Sequence, residues 1–242
     1  MITLRIFLLI FVMISLSSCS TNAPLESLYY NAEEFKSQKS LIIFLRGRGG
    51  SHKDFATEGF IDSVKRRNLP YDMVAPNAHF GYYFGETLVG RLKSDLIEPA
   101  RTKGYENIFL VGASMGGLGA IIYSRYYPED VTGVYVISPF LGYKKIIGEI
   151  VDSGGLQQWQ PGTYDPDDDW QRMVWDWLKT NIDKQKQNPK IYLGYGTEDT
   201  YLKSQKILGN ALPSDQVIKT GGGHTPKTMK LLWDMFLNKE IL

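Results

Sequence analysis

The chain has 242 residues, with 27 basic and 26 acidic side chains and a net charge of +1. This balance gives no electrostatic reason to expect nucleic acid or an anionic surface as a partner. A single cysteine excludes a framework of internal disulfides. The length suits one α/β domain, and the composition does not shift after residue 40 in a way that would indicate a second one.

The first 18 residues have the composition of a secretory signal. Arg5 precedes an apolar block at residues 6–14, and Leu16, Ser17 and Ser18 lead directly to Cys19. The apolar block is too short for a membrane-spanning helix, which needs roughly 20 apolar residues. This stretch is similar to a bacterial lipoprotein signal, in which the cysteine becomes the lipidated first residue. An ordinary secretory signal with an incidental cysteine is the alternative.

The lipoprotein resemblance implies a division of the chain and a location. Residues 1–18 would be removed, residues 19–27 would form a lipidated tether, and residues 28–242 would form the folded domain. Cys19 would attach the protein to a membrane, and Ser20 beside it points to the outer membrane, facing the periplasm. Removal of residues 1–18 takes away one arginine, so the mature chain would be neutral.

Apolar runs typical of strands alternate with segments of helical periodicity. The predicted strands are residues 40–45, 71–75, 107–111, 133–137, 189–194 and 216–219. The predicted helices are residues 53–68, 87–103, 115–127, 201–211 and 227–238, and Pro99 should bend or split the second of them. The alternation predicts a mostly parallel sheet covered on both faces, with about six strands and at most seven. Active groups should then gather at the carboxyl ends of the strands.

The sequence Gly-Ala-Ser-Met-Gly at residues 112–116 lies between a predicted buried strand and a predicted helix. A sharp reversal at Ser114 leaves no room for side chains at Gly112 and Gly116, and it would lift the serine hydroxyl above the sheet. Strand, Gly-x-Ser-x-Gly and helix together resemble the nucleophile elbow of the α/β-hydrolase superfamily. The resemblance extends over about residues 40–238 and is strongest to small carboxylesterases and lysophospholipase-like enzymes.

This resemblance implies a catalytic triad in the order serine, acid, histidine. His224 lies in a glycine-rich loop after the last predicted strand, where the superfamily carries its histidine, and a surface histidine is the alternative. Asp199 closes a turn after the strand that ends at Gly194, and its neighbour Glu198 is the alternative acid. The acid would hold the tautomer of the imidazole and offset its positive charge.

Acyl transfer also needs donors for the oxyanion that forms when a carbonyl is attacked. The resemblance implies the backbone N–H of Met115 as one donor and that of Arg48, with Gly49 as the alternative, as the other. Arg46 stands where relatives often have histidine. The side chains of Arg46 and Arg48 could steer an anionic substrate, although a loop-stabilising role is the simpler interpretation.

Residues 76–84 follow the second predicted strand and are rich in aromatic side chains. They could line a substrate pocket or pack in the core, and the candidates for substrate contact are His79, Phe80, Tyr82 and Tyr83. His52, beside the arginine loop, is expected to be structural. We expect no metal and no cofactor, because no two histidines have ligand spacing on one helix face.

Residues 141–188 exceed the length of a single crossover helix, so an inserted cap is expected. Its tryptophans could stack on a ligand, or Trp175 and Leu178 could pack a helix onto the sheet. The acidic run at residues 165–169 lacks the glycine and glutamate of a calcium loop, and a solvated turn that starts a helix is the better interpretation.

Together these features predict a serine esterase that acts on small-molecule or lipid-like esters through an acyl-enzyme on Ser114. A peptidase or thioesterase with the same triad is the first alternative. A catalytically silent lipoprotein that binds a ligand with a hydrolase fold is the second.

Overall fold

The computed structural model describes residues 23–32, 39–182 and 188–239. Cys19, the signal and residues 20–22 of the proposed tether lie outside the described residues. Within the described ranges, no helix has both the length and the apolar character that crossing a bilayer requires.

Among the described residues, seven strands form one sheet in the order β1-β3-β2-β4-β5-β6-β7. All neighbouring strands are parallel except β1, which pairs antiparallel with β3 at the edge. The strands are β1 Ser27–Tyr30, β2 Lys39–Leu45, β3 Tyr71–Pro76, β4 Tyr105–Ala113, β5 Gly133–Ile137, β6 Lys190–Gly196 and β7 Val217–Thr220. The predicted α/β-hydrolase architecture is confirmed, and β1 is the strand that hydrophobic periodicity did not indicate, because it is short and only half-buried.

In the described part of the chain, ten α-helices cover the two faces. They are α1 Asp54–Thr57, α2 Phe60–Arg66, α3 Phe80–Phe84, α4 Leu88–Leu92, α5 Glu98–Thr102, α6 Met115–Tyr126, α7 Lys144–Asp152, α8 Trp170–Ile182, α9 Leu202–Ala211 and α10 Pro226–Asn238. The first predicted helix is split at Gly59, whose φ of 81° is left-handed. The second is interrupted by a π-helical turn at Lys93–Ile97, just before Pro99, which lacks the N–H that regular helical bonding would require.

The core consists of two layers because alternate residues of each strand face opposite sides of the sheet. In β2, Ile43 and Leu45 point into the layer under α6 and α8, whereas Ile42 and Phe44 point into the layer that contains Trp233 of α10. Burial on both sides explains why these strands are continuously apolar. It also keeps their carboxyl ends in one fixed row, where the loops that follow them meet.

Residues 141–182 contribute α7 and α8, which bury apolar side chains in the same layer as α6. Trp175 and Leu178 are fully buried, and the Trp175 indole donates to the carbonyl of Leu141, so these residues pack a helix onto the sheet. Arg172 joins the two helices through an ion pair with Glu149. Asp169 accepts a hydrogen bond from the Arg172 N–H at 3.0 Å, as expected for an acidic residue that starts a helix.

Candidate active site

Ser114 lies at the junction between β4 and α6 with φ 54° and ψ −116°, a strained conformation for a residue with a side chain. The two glycines that flank it are required by close backbone approach. A Cβ at Gly112 would overlap the carbonyl of Gly116, and a Cβ at Gly116 would overlap the carbonyl of Leu45. The Gly-x-Ser-x-Gly pattern is therefore a consequence of how tightly the chain reverses between strand and helix.

Replacement of Gly116 by alanine should destabilise the protein strongly, because the new methyl group meets rigid backbone of β2 rather than a movable side chain. We expect the free energy of unfolding to fall by at least about 3 kcal/mol, which is the upper end of ordinary overpacking costs. Gly148→Ala is the matched control, since a Cβ at this helical glycine meets nothing within 4 Å and should stabilise by about 0.5–1 kcal/mol. Urea unfolding measures the free energy of unfolding of both variants. Equal changes in the two variants would contradict the close packing described around Ser114.

The structure brings Ser114, His224 and Asp199 into one hydrogen-bonded row. His224 Nε2 lies 2.9 Å from Ser114 Oγ, and His224 Nδ1 lies 3.0 Å from each carboxylate oxygen of Asp199. With the proton on Nδ1, the ring donates to Asp199 and leaves Nε2 free to accept from the serine hydroxyl. This is the geometry in which an imidazole that is oriented by a carboxylate can activate a serine hydroxyl.

Each member of the row comes from a loop that follows a strand. Ser114 follows β4, Asp199 follows β6, and His224 follows β7 in the glycine-rich stretch before α10. Gly222 has φ +112°, and its carbonyl accepts from the Glu198 N–H at 3.0 Å, which ties the histidine loop to the acid loop. Glu198 itself is exposed, so the structure brings Asp199 rather than its neighbour against the imidazole.

Asp199 is buried, and its environment determines its protonation. Burial acts to raise the pKa of this carboxyl, but hydrogen bonds from His224 and from the Tyr201 N–H outweigh it, so the pKa is lowered. The Tyr201 N–H donates to Asp199 Oδ1 at 2.8 Å. The acid is therefore ionised at neutral pH, as the orienting role requires.

The lowered pKa of Asp199 predicts a pH-dependent contribution to stability. A carboxyl whose folded pKa lies below its unfolded value of about 3.9 stabilises the fold above that value and loses the contribution as pH falls through the folded pKa. The unfolding free energy of the wild type should therefore decrease more steeply than that of Asp199→Asn below about pH 4. Denaturant titrations between pH 3 and 7 measure the unfolding free energy of the two proteins. Parallel pH profiles of wild type and variant would refute the contribution of Asp199.

The loop after β2 lies against Ser114. A Cβ at Gly47 would come within 3.2 Å of Ser114 Cβ and 3.8 Å of its hydroxyl, so a side chain at this position would crowd Ser114. The Arg48 N–H belongs to the peptide that follows Gly47. Met115 is the first residue of α6, where a backbone N–H has no partner within the helix. Both predicted oxyanion donors are thus in backbone segments adjacent to Ser114.

The two arginines of this loop have different surroundings. Arg48 is exposed, and its guanidinium lies 5.2 Å from the ring of Phe80. Arg46 is half-buried, and burial lowers its pKa. Its Nε has no hydrogen-bond partner among the residues that the structure describes. His52 is buried and lies 3.9 Å from Glu26, which is consistent with the structural role expected for it.

The four candidate substrate residues after β3 do not share one environment. Phe80 is 47% exposed and lies beside Arg48. His79 caps α3 by accepting from the Gly81 N–H, and burial together with the charge of Arg46 lowers its pKa. Tyr83 packs with its hydroxyl near Gly119 of α6. Tyr82 is only 4% exposed and donates to the Ala23 carbonyl, so the structure places it in the core, which is the packing alternative.

An aromatic group that sequence reasoning missed surrounds the histidine side of the site. The Tyr201 ring packs edge-on against His224 with centroids 5.0 Å apart, and Phe140 packs 5.2 Å from Tyr201. Tyr143 and Trp170 extend this group outward from Phe140. The signal that could have revealed it is the occurrence of Phe140 and Tyr201 shortly after the ends of β5 and β6. Among the described residues, no cluster of three or more potential ligands could hold a metal ion.

Comparisons with known proteins identify a family and a fold for this chain. The family model Esterase ("Putative esterase") matches residues 9–216, which include Ser114 and Asp199 and end before His224. A comparison with curated proteins found no match.

Solved structures share the fold at low sequence identity. S-formylglutathione hydrolase (FrmB) from Staphylococcus aureus matches with a TM-score of 0.59 and 12% identity, covering 88% of this chain and 94% of that one. The α/β hydrolase MGS-MChE2, from a sediment metagenome of the Mar Chica lagoon in Morocco, matches with a TM-score of 0.56 and 19% identity, covering 91% and 97%. The fluorophosphonate-binding serine hydrolase FphF of S. aureus matches with a TM-score of 0.55 and 14% identity, covering 90% and 98%. These structures show the α/β-hydrolase fold, and the family model shows that the chain belongs to this esterase family and is a carboxylic ester hydrolase.

Proposed function

We propose that the protein hydrolyses its ester through a covalent acyl-enzyme on Ser114, with His224 as general base and acid and Asp199 as the acid that orients it. The observation that carries this proposal is the single imidazole that bonds Ser114 Oγ at one nitrogen and the Asp199 carboxylate at the other. A hydroxyl is a poor nucleophile at neutral pH, and this arrangement supplies the base that it needs.

In the first half of the reaction, Ser114 Oγ bonds to the ester carbonyl carbon while its proton passes to His224 Nε2. The oxyanion accepts hydrogen bonds from the N–H groups of Met115 and Arg48, each worth about 3–4 kcal/mol in comparable sites. The carbon–oxygen bond to the alcohol then breaks, and the alcohol leaves with the proton from Nε2. Asp199 stabilises the imidazolium throughout without taking its proton.

In the second half, His224 Nε2 takes a proton from water, and the resulting hydroxide attacks the acyl carbonyl. The bond to Ser114 breaks, the serine recovers its proton from Nε2, and a carboxylic acid is released. Substrate recognition is assigned to Phe80 on one side and to the aromatic group of Phe140, Tyr143, Trp170 and Tyr201 on the other, which favours acyl or aryl groups.

A series of nitrophenyl esters of increasing acyl length, compared with a matched thioester and an aminoacyl nitroanilide, tests the reaction class. We expect esters to have the highest kcat/KM and to show a burst of nitrophenol equal to the enzyme concentration. A higher kcat/KM for the nitroanilide or the thioester would favour the peptidase or thioesterase alternative.

The location is a separate proposal that rests on the sequence around Cys19. We propose that Cys19 is lipidated and holds the enzyme at the outer membrane, facing the periplasm. Mass spectrometry of the protein purified from membranes should find an acylated Cys19 as the first residue, whereas a soluble mature protein with a free thiol would contradict it.

A further inference from the structure

A groove of about 1350 Å³ runs between α7 and α9, beside the loop that carries Asp199. Its lining includes Asp199 and Tyr201 but not Ser114 or His224, so the groove is distinct from the space over the nucleophile. Its volume is sufficient for a small-molecule ligand, since such pockets usually measure about 300–1,000 Å³.

The floor and one wall of the groove are apolar. Ile147 and Ile207 are mostly buried beneath it, Leu202 is half-buried, and Val151 is 51% exposed along its edge. Gly148 lies between Ile147 and Val151 on α7, and the space where its side chain would be is open. This combination leaves a channel that an alkyl chain could occupy without displacing protein atoms.

The rim of the groove is basic. Lys144, Lys203 and Lys206 line it, and none of them pairs with a carboxylate within the described part of the chain. Asp152 is the acidic residue on the rim, since the Asp199 carboxylate is fully buried and bonded to His224. An apolar floor under excess positive charge complements a ligand with a hydrocarbon chain and one anionic group.

The groove is physically connected to the triad through Tyr201. This residue lines the groove, its N–H donates to Asp199 at 2.8 Å, and its ring packs against His224. A ligand in the groove therefore contacts the residue that braces both the acid and the base.

We propose that the groove between α7 and α9 binds a long-chain alkyl carboxylate, with the chain along Ile147 and Val151 and the carboxylate among Lys144, Lys203 and Lys206. The ligand is the acid that a fatty acyl ester would release, and this identification with the product rests on the proposed function. Binding itself depends only on the groove.

Sodium dodecanoate below its micellar concentration is the probe, titrated into the full chain by calorimetry. Gly148→Leu fills the channel and improves helix propensity, so we expect it to fold and to weaken binding at least tenfold. Gly90→Leu is the matched control, because Gly90 is also an open helical glycine but does not line the groove.

The basic rim is tested separately. The double variant Lys203→Glu with Lys206→Glu should also weaken dodecanoate binding at least tenfold. Lys65→Glu on α2 is the control, and its affinity for dodecanoate should stay within twofold of the wild type.

Dodecylamine, which has the same chain and the opposite charge, should bind at least tenfold more weakly than dodecanoate. Equal affinities of the two amphiphiles, or unchanged dodecanoate binding in Gly148→Leu, would overturn the proposal even if ester hydrolysis remained intact. Conversely, Ser114 could prove unreactive while dodecanoate still binds in the groove. The binding site would then stand, and only the conclusion that its ligand is the reaction product would be lost.

Discussion

Ser114→Ala is expected to lower kcat for a nitrophenyl ester by at least about 10⁴-fold, because no other group in the row of Ser114, His224 and Asp199 can form the acyl-enzyme. Loss of a nucleophile in a comparable triad costs about 10⁶-fold in kcat, and the remaining rate reflects the oxyanion donors and substrate binding. Steady-state hydrolysis measures the effect, together with thermal unfolding to show that the variant is folded.

Ser153→Ala is the control for this substitution. Ser153 follows α7, is exposed, and donates only to the carbonyl of Glu149, so its removal should change kcat less than twofold. A folded Ser114→Ala variant with more than a tenth of the wild-type kcat would show that another group is the nucleophile.

Asp199→Asn should lower kcat by about 10⁴-fold with little change in KM. The substitution keeps the shape of the side chain but allows the amide to donate to His224 Nδ1, which favours the tautomer in which Nε2 carries the proton and cannot accept one from Ser114. Hydrolysis rates across pH 5–9 should remain low throughout if the tautomer is the cause.

Glu198→Gln is the matched control, because it makes the same carboxylate-to-amide change one residue away on an exposed side chain. It should retain at least half of the wild-type kcat. If Glu198→Gln lost more activity than Asp199→Asn, Glu198 would be the acid and the role proposed for Asp199 would be wrong.

Hydrophobic periodicity was sufficient to predict the central strands, because residues such as Ile42, Ile43 and Phe44 are buried on both faces of the sheet. The order of motifs along the chain also predicted Ser114, Asp199 and His224 as a set, and in the structure hydrogen bonds join the three side chains. Parallel topology then explains how residues 110 positions apart meet, since the ends of parallel strands lie along one edge.

Other features depend on tertiary contacts that leave little trace in the sequence. Strand β1 exists because it pairs with β3, and its four residues carry no strong apolar pattern. The aromatic group around Tyr201 joins residues from three separate segments, so the places of Phe140 and Tyr201 after their strands are a signal but do not show that the rings contact one another. Tyr82 is a further example, because its position after β3 left substrate contact and core packing equally open, and the structure shows its side chain buried in the core.

Labelling with a fluorophosphonate, followed by peptide mapping of the adduct, is the most direct test of the nucleophile, because it requires no knowledge of the substrate. The geometry around Ser114 predicts one adduct per chain, on Ser114, with labelling abolished in Ser114→Ala and strongly slowed in His224→Ala. An adduct on a different residue, or no adduct in folded protein that still hydrolyses esters, would contradict an acyl-enzyme on Ser114.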